Sequence, residues 1–220
     1  MFNRTTLVVL AVALVAGLGL WFAQRHMGGA AAGAGPQLEV VRLLPDPRPL
    51  PDVALQRAGA AAVTPEALRG RWTLVFLGFT HCPDICPTTL ADMARAQTQW
   101  RETLPEAQRP RLLFVSVDPE RDTPERTAEY ARYFDADTVA VTAEIPVLRE
   151  FAQALGMVFV KAPGEGDDYG INHSSMIAVL DPQARFAGIV RPDIDEAGAV
   201  GFDAAAIARD MRTLAGGDAR

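Results

Sequence analysis

The only two cysteines of the chain, Cys82 and Cys86, lie four residues apart in Gly78-Phe79-Thr80-His81-Cys82-Pro83-Asp84-Ile85-Cys86-Pro87, directly after an apolar run. At i and i+4 on a helix start, two side chains share a face with Cβ atoms about 5–6 Å apart, so the sulfurs can chelate one soft metal ion or close a disulfide. A purely structural disulfide is the weaker reading. Chain-entropy arithmetic gives about 2 kcal/mol for so short a loop, against about 4.7 kcal/mol for a hundred-residue loop. A chain of 220 residues also buries an ample core without covalent help. The pair is read as a functional site.

The elements that must position these thiols follow from the hydrophobic pattern. Thr64-Pro65-Glu66 reads as a short helix start, reaching about Leu68 before Gly70. Thr73 to Phe79 is a nearly continuous apolar run, the signature of a strand buried on both faces, and the cysteines sit at its C-terminal end. A helix from Cys86 to about Trp100 and a second apolar strand from Leu112 to Val117 complete a strand-helix-strand unit with a right-handed parallel crossover. Asp122-Thr123-Pro124-Glu125 opens a helix running to Phe134, and Glu144-Ile145-Pro146 opens another to Leu155, closed by Gly156. A short strand is expected at Thr138 to Val141, and a hairpin at Ser175 to Leu180 and Phe186 to Val190 around Asp181-Pro182-Gln183-Ala184. A last helix spans about Phe202 to Leu214. The predicted fold class is α/β with thioredoxin-like element order, and its ligands gather at the carboxyl ends of the strands, where the cysteines lie.

That topology predicts a third participant. In the thioredoxin arrangement a cis-proline loop before the hairpin faces the cysteines; here the place reads Ile171-Asn172-His173-Ser174-Ser175, without proline. His173 is therefore expected to face Cys82 and Cys86. Thiolates favour Cu(I) and imidazole suits several first-row metals, so two sulfurs and one nitrogen suit copper, whereas structural zinc generally takes four protein ligands and no fourth is evident. The other candidates are weaker. His26 is read as solvated beside an apolar segment, and His81 as a residue that packs, caps or tunes a thiol by its charge. Asp84 suits the positive end of a helix. Asp118 either orients a ligand from behind or ends a strand with Pro119. Met176 is core filler.

The ends and composition bound the rest. From Leu7 to Ala23 the chain carries no charge, a stretch at the short end of the roughly 17 to 25 residues of a membrane span and beyond the roughly 7 to 15 of a signal-peptide apolar region. The expectation is a single-pass signal anchor over residues 1–27, in a bacterial-type inner membrane with the folded part outside the cytoplasm. Cleavage within Gly28 to Gly35 is the alternative. With no cysteine near this segment, a thiol-linked lipid anchor has nothing to attach to. Residues 28–57, rich in Ala, Gly and Pro, read as a flexible tether and irregular lead-in, and residues 58–220 as one domain. A net charge of −6 and a pI near 5.1 without a Lys/Arg cluster exclude the electrostatic footprint of a nucleic-acid binder.

Three stretches carry a family likeness: Gly78 to Pro87, Ser116-Val117-Asp118-Pro119-Glu120-Arg121-Asp122-Thr123-Pro124-Glu125, and Tyr169 with His173-Ser174. Through them the chain resembles the Sco/SenC family of membrane-tethered, thioredoxin-like copper proteins, firmly from about Trp72 to Arg191. The resemblance implies copper bound by Cys82, Cys86 and His173, as Cu(I), Cu(II) or both. It also implies a disulfide between the cysteines in the metal-free oxidised form, and assembly of the CuA centre in cytochrome c oxidase. The implied partners are the CuA-bearing oxidase subunit, another copper chaperone as donor, and the membrane. Asn172 departs from the family, which usually has Asp there, and bears on affinity or on the balance between copper oxidation states. The alternative is a thiol-disulfide oxidoreductase that keeps the CuA cysteines reduced, or a redox signalling protein. A reductase usually has two residues between its cysteines rather than three, and has no need of His173.

Overall fold

The computed structural model describes Asn3, residues 12–19, 21–22, 36–164, 169–194, 198 and 200–216. In chain order its strands are β1 (Val41–Pro49), β2 (Thr73–Gly78), β3 (Arg111–Ser116), β4 (Val139–Val141), β5 (Phe159–Lys161), β6 (Ile171–His173), β7 (Ile177–Leu180), β8 (Arg185–Val190), β9 (Asp193–Ile194) and β10 (Val200–Gly201). Helices are α1 (Ile85–Thr103), α2 (Pro124–Phe134), α3 (Ile145–Ala154) and α4 (Ala204–Leu214).

Six strands form one sheet in the order β1-β8-β7-β2-β3-β4, with β5-β6 and β9-β10 as separate ribbons. β2 runs parallel to β3 from Thr73 opposite Arg111 to Gly78 opposite Ser116, while β7 runs antiparallel to β2 and β8 antiparallel to β7. Because successive side chains of a strand point to opposite faces, the continuous apolar runs feed two cores. Leu74, Phe76, Leu112 and Phe114 meet Leu90, Met93 and Trp100 of α1 and Ile207 and Met211 of α4. Val75, Leu77, Leu113 and Val115 meet Leu148 and Phe151 of α3, with Val53, Leu55, Val63 and Leu68 from the lead-in. This is the thioredoxin-like order expected from the sequence, and it delivers the start of α1 to the carboxyl end of β2.

Several local expectations change. The stretch read as irregular holds an edge strand, β1, disguised by Pro45, Pro47 and Pro49; an edge strand needs partners on one side only, so prolines are tolerated there, and its register with β8 breaks between Leu43 and Arg48. Gly188 makes that close pairing feasible: a Cβ on it would lie 2.7 Å from the Arg42 carbonyl oxygen. The helix read at Thr64 is only a 3-10 turn at Glu66–Leu68. α1 runs on past Trp100 to Thr103, and α4 starts at Ala204, where the Asp203 carboxylate accepts from the Ala205 and Ala206 N–H groups. Neither small ribbon was legible as alternation.

Contacts divide the chain into Met1–Gln37 and Leu38–Arg220. In the first unit, residues 12–19 and 21–22 are helical and exposed. Among the described residues no helix is long and apolar enough to cross a membrane; the span expected over Leu7 to Ala23 lies partly outside the described residues.

The second unit begins at a clamp. Asp210 of α4 is 2% exposed, and its carboxylate accepts the backbone N–H groups of Glu39 (2.9 Å), Val40 (2.8 Å) and Val41 (2.9 Å). Arg209 adds a two-pronged contact to Glu39 at the surface. Charge-assisted hydrogen bonds are the strong ones, and a buried donor left unpaired costs about 1–3 kcal/mol. Asp210→Ala is therefore expected to lower stability by about 2–4 kcal/mol, read as a drop in the denaturant midpoint; a change under about 0.5 kcal/mol, ordinary for a surface site, would show that the clamp bears no load.

Candidate metal centre

β2 delivers its last residue, Gly78, directly beneath the buried thiol. A Cβ there would lie 3.0 Å from Cys86 Sγ and 2.8 Å from Phe114 Cε2, so the position requires glycine for the close approach. The loop from Phe79 to Asp84 then turns the chain into α1, which carries Cys86 in its first turn. That turn is held by Asp122, which has no exposed surface: its carboxylate accepts from the Thr80 N–H (2.8 Å), the Thr80 hydroxyl (2.5 Å) and the Ser116 hydroxyl (2.5 Å). Thr123 caps the following helix by accepting from the Arg126 N–H, leaving Asp122 free for this role.

The two thiols are unlike. Cys86 is fully buried and Cys82 half-buried, both are free, and the Cys86 backbone N–H donates to Cys82 Sγ at 3.3 Å. His173 arrives from the other side of the sheet's end. It closes β6, opposite Phe159 of β5, so it stands on a paired strand rather than in the open loop expected. Its Nδ1 lies 3.0 Å from the Ser174 carbonyl oxygen, which can only accept, so Nδ1 carries the proton and Nε2 turns its lone pair to Cys86 Sγ at 3.6 Å. The ring is wedged edge-on against Phe76 and Phe79, centroids 6.1 Å away in each case. One ligand atom from each of Cys82, Cys86 and His173 lies within 4.8 Å of the others. The structure thus brings together the three residues singled out in the sequence.

Electrostatics divides the labour between the sulfurs. A hydrogen bond from Cys86 pulls the Cys82 thiol down to about 4 against the opposing effect of burial, with the backbone at Asp84 and Cys86 adding to the pull. The same hydrogen bond, together with burial and the adjoining thiolate, pushes Cys86 up. The pair therefore shares one proton, with the negative charge on the more exposed sulfur. Burial, and then the charges of Cys86, Cys82 and Asp122, also push the Tyr130 phenol up.

The remaining candidates take supporting places. His81 engages the Thr80 hydroxyl (3.3 Å), Asp122 (3.8 Å) and Arg126 (3.2 Å). Asp84 precedes α1 but its exposed carboxylate makes no capping bond. Asp118 does not touch the ligand trio; it is buried and accepts from Arg121 Nε (2.5 Å) and the Tyr169 hydroxyl (2.7 Å). Arg121 then lies over the Tyr169 ring at 3.6 Å and the Phe79 ring at 5.9 Å, linking this network to the ring that wedges His173. Met176 packs against the α3-side core, as read. His26 lies outside the described residues. Residue-type reasoning passed over Thr80, Ser116 and Arg121. Their polarity at a strand end was the available signal, and its meaning depends on contacts distant in the chain.

The SCO1/SenC family profile matches residues 53–207. A candidate copper-binding protein of Stutzerimonas stutzeri is 38% identical over 152 residues, spanning 69% of this chain and 73% of that protein. The mitochondrial SCO1 homolog 1 of Arabidopsis thaliana is 34% identical over 133 residues, 60% of this chain but only 39% of that protein. The crystal structure of Arabidopsis thaliana ScoI with copper bound superposes with a TM-score of 0.62 at 28% identity, covering 73% of this chain and 96% of that one.

The unequal thiols give a direct test by alkylation. Cys82 is expected to react with iodoacetamide while Cys86 in the same folded molecule stays protected, and the Cys82 rate should fall only as the pH drops towards about 4, whereas an ordinary thiol loses reactivity below about 8.5. Peptide mass spectrometry across pH reads both; equal labelling, or a midpoint near 8.5, would contradict the assignment.

Proposed function

Because this chain belongs to the SCO1/SenC family, we propose that it carries copper as cargo on Cys82 Sγ, Cys86 Sγ and His173 Nε2 and delivers it during assembly of the CuA centre of cytochrome c oxidase. The observation that carries this reading is the convergence of two sulfurs and one imidazole nitrogen within 4.8 Å at the carboxyl end of the sheet. The donor chemistry fits: soft sulfurs suit Cu(I), and the nitrogen keeps Cu(II) accessible. Cys82 is already a thiolate at neutral pH, while Cys86 must surrender its proton, so loading releases protons and weakens as pH falls. The Nδ1–H bond to the Ser174 carbonyl fixes the His173 tautomer, and Gly78 and Asp122 fix the sulfurs. Cys82, the half-exposed donor, is where an incoming thiolate of the oxidase subunit would begin ligand exchange. In this proposal residues 1–27 hold the domain on the outer side of a bacterial-type inner membrane, beside that subunit, and another copper chaperone supplies the ion.

One observation favours a second reading. A partly exposed, low-pKa thiol beside a buried, protonated one is what a thiol-disulfide reductase uses. Cys82 would attack a partner disulfide to form a mixed disulfide. Cys86 would then displace the partner, leaving a Cys82–Cys86 disulfide here and two thiols there.

Copper stoichiometry and absorption of the reduced chain under anaerobic conditions, compared with His173→Ala, separate the two. Delivery requires one copper per chain and a thiolate-to-Cu(II) band that shifts or weakens without His173. No stoichiometric copper alongside ready disulfide exchange would leave the reductase. Asn172 is exposed and alternates with His173 on β6, so its side chain stands on the opposite face of the strand. Asn172→Asp is expected to change copper affinity less than about tenfold, or about 1.4 kcal/mol; a larger change in a competition titration would mean that the charge acts on the metal directly.

A further inference from the structure

At the end of the sheet opposite the thiols, where β3 and β4 begin and α1 ends, Arg71, Arg101, Arg109 and Arg111 line a cleft of about 230 Å³ over Trp100. Two carboxylates also line it, Glu106 and Asp137. Arg101 is neutralised by Asp135 (2.8 Å) and Asp137 (2.9 Å). The other three guanidinium groups have no ion pair among the described residues. Arg109 donates to the carbonyls of Leu104 and Arg101, Arg111 donates to the carbonyl of Ala67, and Arg71 has no partner among the described residues. Three cations thus face one unpaired carboxylate, in a chain whose overall charge is −6. Burial, and the nearby positive charges of Arg71 and Arg57, press the half-buried Arg111 towards its neutral form. A desolvated cation among like charges calls for a counter-ion.

A second observation is independent of charge. Trp100 is 1% exposed, and its indole Nε1 is a buried donor with no hydrogen-bond partner among the described residues. Buried donors are rarely left unmade, and indole N–H can only donate. Guanidinium forks and an N–H, all donors, suit an acceptor-only ligand carrying more than one negative charge. The cleft is smaller than the roughly 300–1,000 Å³ that encloses drug-sized ligands, so it suits an ion or a headgroup.

We propose that this cleft binds a phosphate-class oxyanion, either free phosphate or the phosphate of an esterified headgroup, held by Arg71, Arg109 and Arg111 with the Trp100 indole as a further donor. The site is separate from the thiol centre and does not depend on what that centre carries.

The test follows indole N–H resonances of the full ¹⁵N-labelled chain in detergent, with Trp100→Phe assigning the signal. Inorganic phosphate and glycerol 3-phosphate are titrated at constant ionic strength. A saturable shift of the Trp100 indole is expected, weakened at least tenfold in both Arg71→Met and Arg111→Met, while the Trp72 indole, already bonded to the Leu214 carbonyl at 2.9 Å, stays in place. Arg71→Met removes no bond that holds the fold, so it remains informative if Arg111→Met destabilises the chain. Preference for glycerol 3-phosphate would identify an esterified headgroup as the source, and equal or tighter binding of phosphate the free ion. No saturable shift at about 10 mM of either, ten times a weak millimolar Kd, would overturn the proposal, as would unchanged affinity in the arginine variants.

Discussion

The carboxylate of Asp122 is buried between the ends of two neighbouring parallel strands, and the placement of the thiols descends from it. It accepts two hydrogen bonds from Thr80, just past β2, and one from Ser116, the last residue of β3. Without those donors a buried carboxylate would be costly; with them it becomes a rigid joint between strands and loop. The chain leaves β2 in one direction only, Cys82 is set down two residues past Thr80, and α1 starts where Cys86 must point back onto Gly78. Its companion Asp118 performs the same service one layer out, through Arg121 and Tyr169.

Most of this architecture can be read from the chain because it rests on local chemistry. Thr73 to Phe79 and Leu112 to Val117 are apolar on both faces and long enough to be inner strands, and Thr123-Pro124 is a helix start with a capping hydroxyl and a pre-set φ. The position of His173 opposite the cysteines was legible too, since it follows from topology once the strand order is recognised. What was not legible depends on partners far along the chain. β1 forms despite three prolines because β8 offers an edge, and β6 is a strand because β5 pairs with it. Ser116 and Thr80 look like ordinary turn residues until Asp122 is placed between them.

The two thiols show how one geometry supports two chemistries. Sharing a proton keeps Cys82 charged and Cys86 neutral, which holds the site open to a soft cation and also primes it for attack on a disulfide. His173 shifts the balance. An imidazole whose tautomer is fixed by a backbone carbonyl is a third donor with no part in thiol exchange. Its wedging between Phe76 and Phe79 keeps that donor in place.

The clamp at Asp210 has a mechanical meaning. The chain enters the domain at β1, the outermost strand, and β8 and β7 stand between it and β2. A pull on the N-terminal segment is resisted first by three backbone N–H groups anchored to one carboxylate on α4 and then by a single-edged strand pairing. Tension is spent in a sacrificial border, and β2, which leads into the thiol loop, feels it last.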